Sequence, residues 1–267
     1  MQKDLPGKAW FQRSYYGGWG LGFNSTVAPL NDIKLRKAIE LYIDREEWSQ
    51  LAYGGFASLG GMNQPGSYWA DPDFPALYPG FNPATKKQDQ AEALQIIKDG
   101  NYAGLKFGIL CRDNYLFNAE AADAQLRKMG LNSFIDIVDT NRNTEREQSG
   151  QYQAVLSGFG SALPANMATA YVTANPLAPR KTGDAKMDEY DRLLNTIVDP
   201  VKRRQTASEL GRYVLTEKYY MAPGPWEEST VAVRTYIKGL WTGGDTPLQN
   251  NAHHTVWMDL KLRAAGG

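Results

Sequence analysis

A glycine-rich loop with one aromatic residue is the first candidate for a binding site in this sequence. Residues 156–166 read LSGFGSALPAN and follow the strand-like run QYQAV. A loop directly after a buried strand is where α/β proteins usually bind a ligand. Phe159 offers a ring for stacking, while the backbone at Gly158 and Ser161 can supply hydrogen bonds. Because the loop carries no charge, its pattern indicates recognition through ring stacking and backbone contacts.

Aromatic residues elsewhere could complete such a site. The chain has 7 Trp and 15 Tyr, and residues 10–24 (WFQRSYYGGWGLGFN) interleave rings with glycine rather than placing them at helical spacing. This stretch is typical of extended segments with a bend. We expect Tyr16, Trp19 and Trp226 to line the same cleft as Phe159. The alternative is that these rings fill the core.

A second kind of chemistry would need a nucleophile. Cys111 ends a predicted strand next to Arg112, whose charge could lower the pKa of the thiol. A buried, inert cysteine is the alternative. His253 and His254 are the two histidines; as neighbours in a strand they would face opposite sides, so at most one could serve a given site. The alternative for them is a surface pair. Under the catalytic hypothesis Cys111 beside Arg112, or alternatively His253 or His254, would attack activated esters or phosphotriesters.

Composition excludes several classes of function. Lys plus Arg and Asp plus Glu number 29 each, which is not the basic balance expected of a nucleic-acid-binding protein. No apolar run approaches the ~20 residues needed to cross a bilayer. The single cysteine rules out an internal disulfide, and the sequence lacks a phosphate-binding loop, HExxH and a paired CxxC. We therefore expect no metal and no cofactor.

Alternating strands and helices in the middle of the chain predict an α/β layer. The predicted strands are 105–111, 134–139 and 152–158, and the predicted helices between them are 119–129 and 143–148.

The segment before this layer is less regular. Residues 57–82 carry four Gly and four Pro without a helical period, and long loops of this kind are usually functional. The pair Asn82-Pro83 then predicts a helix N-cap followed by proline in the first helical position, for a helix that ends near Gly100.

Several ordered motifs resemble one family. Asn24 and the run APLNDIKLRKAIELYIDREEW (28–48) are similar to the segment that opens the C-terminal lobe of the solute-binding proteins of ABC importers, in the class that handles peptides, nickel chelates and some sugars. The runs YPGFNPATKKQDQAEALQIIKDGNY, GQYQAVLSGF and IVDPVKRRQTASELGRYVLTEKYYMAPG resemble later segments of the same class, in the same order. The motifs cover about residues 20–225.

The resemblance implies a periplasmic-binding-protein type II lobe, α/β, with a mixed sheet flanked by helices. It implies a crossover and hinge segment at 1–27, a C-terminal lobe at 28–214, and a return segment at 215–267 that would pack on a missing N-terminal lobe. Exposed apolar surface there would favour a homodimer. The family implies an extracytoplasmic location and the membrane subunits of an importer as partners. The start, MQKDLPGKAW, lacks the apolar region of a signal peptide, which predicts a cytoplasmic chain if it is made as written.

The resemblance also bears on the ligand. Phe159 stands at a tryptophan position of the family, and Ala162 stands where peptide-binding members carry an aspartate for the ligand's amine. The Asp-Pro that often follows is Ala165-Asn166 here. This departure favours a small, uncharged organic solute such as a glycoside, a capped peptide or a lipid-like molecule. The alternatives are a promiscuous hydrolase and an inactive fragment.

Overall fold

The computed structural model describes residues 9–71, 73–159, 164–238, 257–258 and 261. The chain divides into two units. The larger comprises residues 17–226, and the smaller comprises residues 1–16 and 227–267. In the smaller unit β7 (Ile237–Lys238) pairs antiparallel with β8 (Trp257–Met258). The candidate site and the helices lie in the larger unit.

A mixed sheet of six strands organises the fold. The strands are β1 (Ala9–Phe23), β2 (Ala57–Ser58), β3 (Lys106–Arg112), β4 (Asn132–Val138), β5 (Ala154–Phe159) and β6 (Met221–Arg234), in the spatial order β2-β6-β1-β5-β3-β4. Strands β3, β4 and β5 are parallel neighbours, whereas β1 runs antiparallel to β5. The parallel part is the α/β layer that the alternating pattern predicts, and that prediction is confirmed.

Nine helices of the described residues accompany these strands. They are α1 (Ile33–Tyr42), α2 (Arg45–Tyr53), α3 (Phe74–Leu77), α4 (Lys86–Asp99), α5 (Leu116–Lys128), α6 (Thr140–Ser149), α7 (Pro164–Thr169), α8 (Lys186–Thr196) and α9 (Pro200–Arg212). Aspartates cap several of them. Asp44, for example, accepts hydrogen bonds from the backbone N–H groups of Glu46 and Glu47, which no residue of the helix could otherwise satisfy.

Two local predictions are wrong. Helix α4 begins at Lys86, not at Pro83, because Asn82 forms a turn instead: its side chain accepts from the N–H of Ala84 and its carbonyl accepts from the N–H of Thr85. The expectation of separate extended segments within residues 10–24 is also wrong, since β1 is one continuous strand of 15 residues.

The main core lies between the sheet and helices α1, α2, α4 and α5. Leu21 and Phe23 of β1, Leu156 of β5, Ile39 of α1 and Trp48 of α2 all belong to it and are 1% exposed or less. Full burial of a side chain of this size stabilises the fold by about 1.5–3 kcal/mol. This packing fixes the strands whose ends form the candidate site.

A charged cluster is buried beside the core. The Arg45 guanidinium donates to the carboxylate of Glu40, with Nη2 2.6 Å from Oε1, and lies 3.9 Å above the centre of the Phe81 ring. Lys86 donates its ammonium protons to the carbonyl oxygens of Ile43 and Gly80. Burial lowers the pKa of Lys86 to about 8. The cluster ties the start of α2 and the start of α4 to the segment between them.

Candidate functional site

One edge of the sheet brings most of the predicted ligand-binding residues together. The parallel strands β3 and β5 end at Arg112 and Phe159, so their carboxyl ends share this edge. In the antiparallel pairing of β1 with β5, Trp19 lies opposite Gly158 and Gly18 lies opposite Phe159. The carboxyl ends of parallel strands are the usual ligand-binding place in such sheets.

A stack of three side chains forms the first half of this edge. Tyr115, in the turn that precedes α5, covers the Trp19 ring with 3.6 Å between ring centres. The Arg112 guanidinium lies 4.9 Å from the centre of the Tyr115 ring and 5.9 Å from that of Trp19. Trp19 is 7% exposed. The indole Nε1 of Trp19 and the Nε of Arg112 are buried and donate no hydrogen bond.

Phe159 and Trp226 form the second half. Their rings meet edge to face with centres 5.6 Å apart. The Phe159 ring lies directly over Gly18, where an added Cβ would come within 2.5 Å of Cζ. Trp226 donates its Nε1–H to the carbonyl of Gly61 at 2.9 Å. Both rings are buried, so this half of the edge is closely packed in this structure.

Arg180 contacts the aromatic edge through the backbone of Gly158. Its Nη2 donates to the carbonyl oxygen of Gly158 at 3.2 Å, and its Nη1 lies 3.5 Å from the carboxylate of Glu147. The Arg180 side chain fills the space beside Gly22, where a Cβ would come within 2.7 Å of Nε. The Gly158 carbonyl is therefore already engaged by the protein, which limits the hydrogen bonds that this residue can offer to a ligand.

The remaining predicted ligand-binding residues are only partly described. Tyr16 lies in β1, but its side chain is outside the described part of the chain. Ser161 and Ala162 lie between the described ranges 73–159 and 164–238. The sequence interpretation missed Tyr115 and Arg180 and assigned Arg112 only to catalysis. The closeness of Arg112 and Tyr115 along the chain was the one signal available.

The geometry at Cys111 contradicts its proposed use as a nucleophile. Its side chain belongs to the main core and is 0% exposed, and Sγ donates to the carbonyl of Arg112 at 3.1 Å. Burial raises the pKa of the thiol to about 12, and this outweighs the opposite effect of the Arg112 charge. His253 and His254 lie outside the described residues. The catalytic set therefore gains no support from the described part of the chain.

The sequence of this chain matches one known protein family. Residues 1–176 of the 267 match the sequence model of the family described as bacterial extracellular solute-binding proteins, family 5 Middle. The chain belongs to this family. The family predicted from the ordered motifs is thereby confirmed. Within the described ranges, none of the helices of this family 5 chain combines the length and apolar composition that crossing a bilayer requires.

Known family 5 relatives are distant in sequence. The periplasmic oligopeptide-binding protein OppA of Haemophilus influenzae is 23% identical over 263 residues, in a match that covers 92% of this chain and 46% of OppA. A probable di/tripeptide-binding protein of Pseudomonas aeruginosa is 25% identical over 145 residues, which covers 52% of this chain and 26% of that protein. This chain thus spans about half the length of OppA, and its match covers a smaller share of the Pseudomonas protein.

Solved structures show the same fold. The murein tripeptide-binding protein MppA, in an unliganded open form, has a TM-score of 0.75 at 16% identity, and the match covers 96% of this chain and 50% of MppA. Haemophilus influenzae OppA in complex with the peptide RPPGFSPFR has a TM-score of 0.71 at 16% identity, with 96% of this chain and 51% of OppA covered. The predicted type II lobe, a mixed sheet flanked by helices, is confirmed.

Proposed function

We propose that this protein binds a peptide or a peptide-like amide and presents it to the membrane subunits of an ABC importer. Membership of family 5 supports solute binding. Relatives named for oligopeptides and for di- or tripeptides support the ligand class. The small uncharged solute that the sequence favours gains no support from these relatives, whose names point to peptides instead.

Two unpaired donors carry the proposal. The Nε1–H of Trp19 and the Nε–H of Arg112 lie at the same edge, and neither has an acceptor. A buried donor without a partner costs about 1–3 kcal/mol, so a fold rarely keeps two such groups together without a use for them. An amide carbonyl of a bound ligand would supply the missing acceptor to each.

Tyr115 controls access to these donors. Its half-buried ring lies over Trp19 and under the Arg112 guanidinium, so it covers the edge in this structure. Rotation of Tyr115 about χ1 would uncover the indole and let a flat amide group take the place of the phenol ring. The ligand then stacks on the Trp19 ring, and its carbonyl oxygens accept hydrogen bonds from the Trp19 Nε1–H and the Arg112 Nε–H.

No acidic side chain belongs to this edge, which consists of Trp19, Arg112, Tyr115, Gly158, Phe159 and Trp226. A positively charged ligand amine would therefore gain no ion pair from these six residues. We expect N-acetylated peptides to bind within about threefold of free peptides, a difference of less than about 1 kcal/mol.

Equilibrium dialysis tests this function. The protein is dialysed against a random tripeptide mixture and, separately, against the same mixture after N-acetylation, and retained peptides are measured by mass spectrometry. We expect retention from both mixtures and a clear loss of retention in Trp19→Phe and Arg112→Gln. The proposal would be contradicted if the protein retained peptides from neither mixture. It would also be contradicted if both variants retained as much peptide as the wild type.

The partners and boundaries taken from the family stay proposals. We propose that residues 28–214 form the lobe and that residues 215–267 return toward a second lobe, which leaves apolar surface available for a homodimer. Light scattering coupled to size-exclusion chromatography measures the mass directly. A mass close to 29.7 kDa, that of one chain, at all concentrations would exclude the dimer.

A further inference from the structure

A cavity of about 360 Å³ borders the aromatic edge at Gly60 and Gly61, which contact Trp226. One wall is the segment 59–78, most of which has no regular structure, and the other is α9 with the turn that follows it. Ligand pockets usually start at about 300 Å³, so this cavity can hold one small molecule. The long irregular segment that the sequence predicts to be functional therefore forms one wall of a cavity.

Two polar side chains that line the cavity have no partner. Asn63 is 8% exposed, and its Oδ1 accepts no hydrogen bond. The hydroxyl of Ser67 is also buried and makes no hydrogen bond. Both residues line the cavity. An unpaired buried polar group destabilises the fold by about 1–3 kcal/mol, and a ligand that pairs with it recovers that free energy.

Three other polar side chains of the lining each make a hydrogen bond within the protein. Tyr78 donates its hydroxyl to the carbonyl of Ser208, and Arg204 donates to the carbonyl of Ala70 at 3.0 Å. Asp71 accepts from the N–H of Asp73. The two buried groups of the lining that lack a partner, the Asn63 Oδ1 and the Ser67 hydroxyl, are both uncharged.

Apolar side chains make up much of the remaining surface. Met62 and Phe74 are 3% and 6% exposed, and Phe74 packs against Tyr78 with ring centres 4.7 Å apart. Ala207 and Leu215 close the opposite wall and are fully buried. An apolar body therefore fits the cavity better than a sugar ring or a charged group, because it needs no hydrogen bonds around its circumference.

We infer that this cavity is a second binding site, which takes a small uncharged carboxamide with an apolar substituent. The carboxamide N–H donates to Asn63 Oδ1, the carboxamide oxygen accepts from the Ser67 hydroxyl, and the substituent packs against Met62 and Phe74. The site is separate from the aromatic edge, because Gly61 lies between them: its carbonyl accepts from Trp226 while its Cα faces the Phe74 ring.

Benzamide is the probe for this site, and the Met62 methyl group is the reporter. The chain has 7 methionines, so methyl labelling with carbon-13 gives few signals, and Met62→Leu assigns the relevant one. We expect benzamide to shift the Met62 signal with saturation and a Kd on the order of 1 mM, as suits a ligand of this size. Toluene, which has the ring without the amide, should bind at least tenfold more weakly.

Two variants separate a built site from an apolar void. Asn63→Leu keeps the side-chain size but removes the acceptor, and we expect benzamide to lose about tenfold in affinity while toluene does not. Ala207→Met fills the cavity and should abolish both shifts; circular dichroism checks that it folds. Absence of a saturable Met62 shift up to about 20 mM benzamide overturns the inference, since even weak fragments bind in this range. Equal binding of toluene, or unchanged benzamide binding in Asn63→Leu, overturns it as well.

Discussion

Several arginines of the described residues lie over aromatic rings, and two of them, Arg45 and Arg112, differ in how completely they are paired. Arg45 is 2% exposed and lies on Phe81, and all three nitrogens of its guanidinium donate hydrogen bonds. They reach the carbonyl oxygens of Pro223, Glu40, Ile43 and Gly80 and the carboxylate of Glu40, at 2.6–3.1 Å. Arg112 lies on Tyr115, half-buried, and its Nε has no acceptor.

The difference separates a structural site from a binding site. A buried charge that is fully hydrogen-bonded holds several backbone segments in one arrangement, and its loss leaves other groups unpaired. Arg112 and Trp19 each have a buried N–H without an acceptor, and such a group destabilises the fold until a ligand supplies the acceptor. We therefore expect changes at Arg45 to affect stability and changes at Arg112 to affect ligand binding.

The largest expected effect is that of Arg45→Met on stability. The change leaves the fully buried carboxylate of Glu40 without its ion-pair partner, and breaking a buried pair in this way costs about 3–5 kcal/mol. The measurement is the free energy of unfolding in urea. The matched control is Arg112→Met, which should lose about 1 kcal/mol or less. Similar losses in both variants would remove the distinction between the two sites.

A pH effect of about 2 kcal/mol should come from Lys86. Burial lowers its pKa from 10.5 to about 8, so between these values the unfolded chain binds more protons than the folded protein. The free energy of unfolding should therefore rise with pH across this window, by on the order of 2 kcal/mol relative to Lys86→Met. Other groups titrate there too, so the difference between wild type and variant is the quantity to measure. If the difference in free energy of unfolding between wild type and Lys86→Met stayed constant from pH 8 to 10.5, the prediction would be wrong.

Two neighbouring glycines at the aromatic edge give a smaller and sharper test. A Cβ at Gly18 would collide with the Phe159 ring, whereas a Cβ at Gly17 would meet nothing within 4 Å. Gly18→Ala should therefore lose about 1–2 kcal/mol of stability and change the fluorescence of Trp226, which packs against Phe159. Gly17→Ala should stay within about 0.5 kcal/mol of wild type. Equal losses would mean that Phe159 does not occupy this position.

Much of the fold was predictable because its signals are local. The alternation of apolar strands and helices defined β3 to β5. Asn82-Pro83 failed as a helix start because the same residues favour a turn equally well. A local pattern cannot choose between the two, whereas the packing of α4 against α1 can.

The site was less predictable because its contacts are distant along the chain. Trp19, Phe159 and Trp226 were named from composition and from the family, and the structure brings them to one sheet edge. Tyr115 on Trp19, and Arg180 under Gly158, join residues that no spacing in the sequence relates. Unpaired donors are also invisible in a sequence, since they depend on what surrounds each nitrogen.

The most direct test of the binding site is the affinity of one retained tripeptide, measured by calorimetry for wild type and for Trp19→Phe. Phenylalanine keeps a ring for stacking and removes the unpaired Nε1–H, together with part of the indole ring. We expect the affinity to fall about five- to tenfold, as loss of one hydrogen bond of about 1–1.4 kcal/mol requires, while the free energy of unfolding stays within about 1 kcal/mol. An unchanged affinity in Trp19→Phe, with the fold intact, would contradict the assignment of this edge as the ligand-binding site.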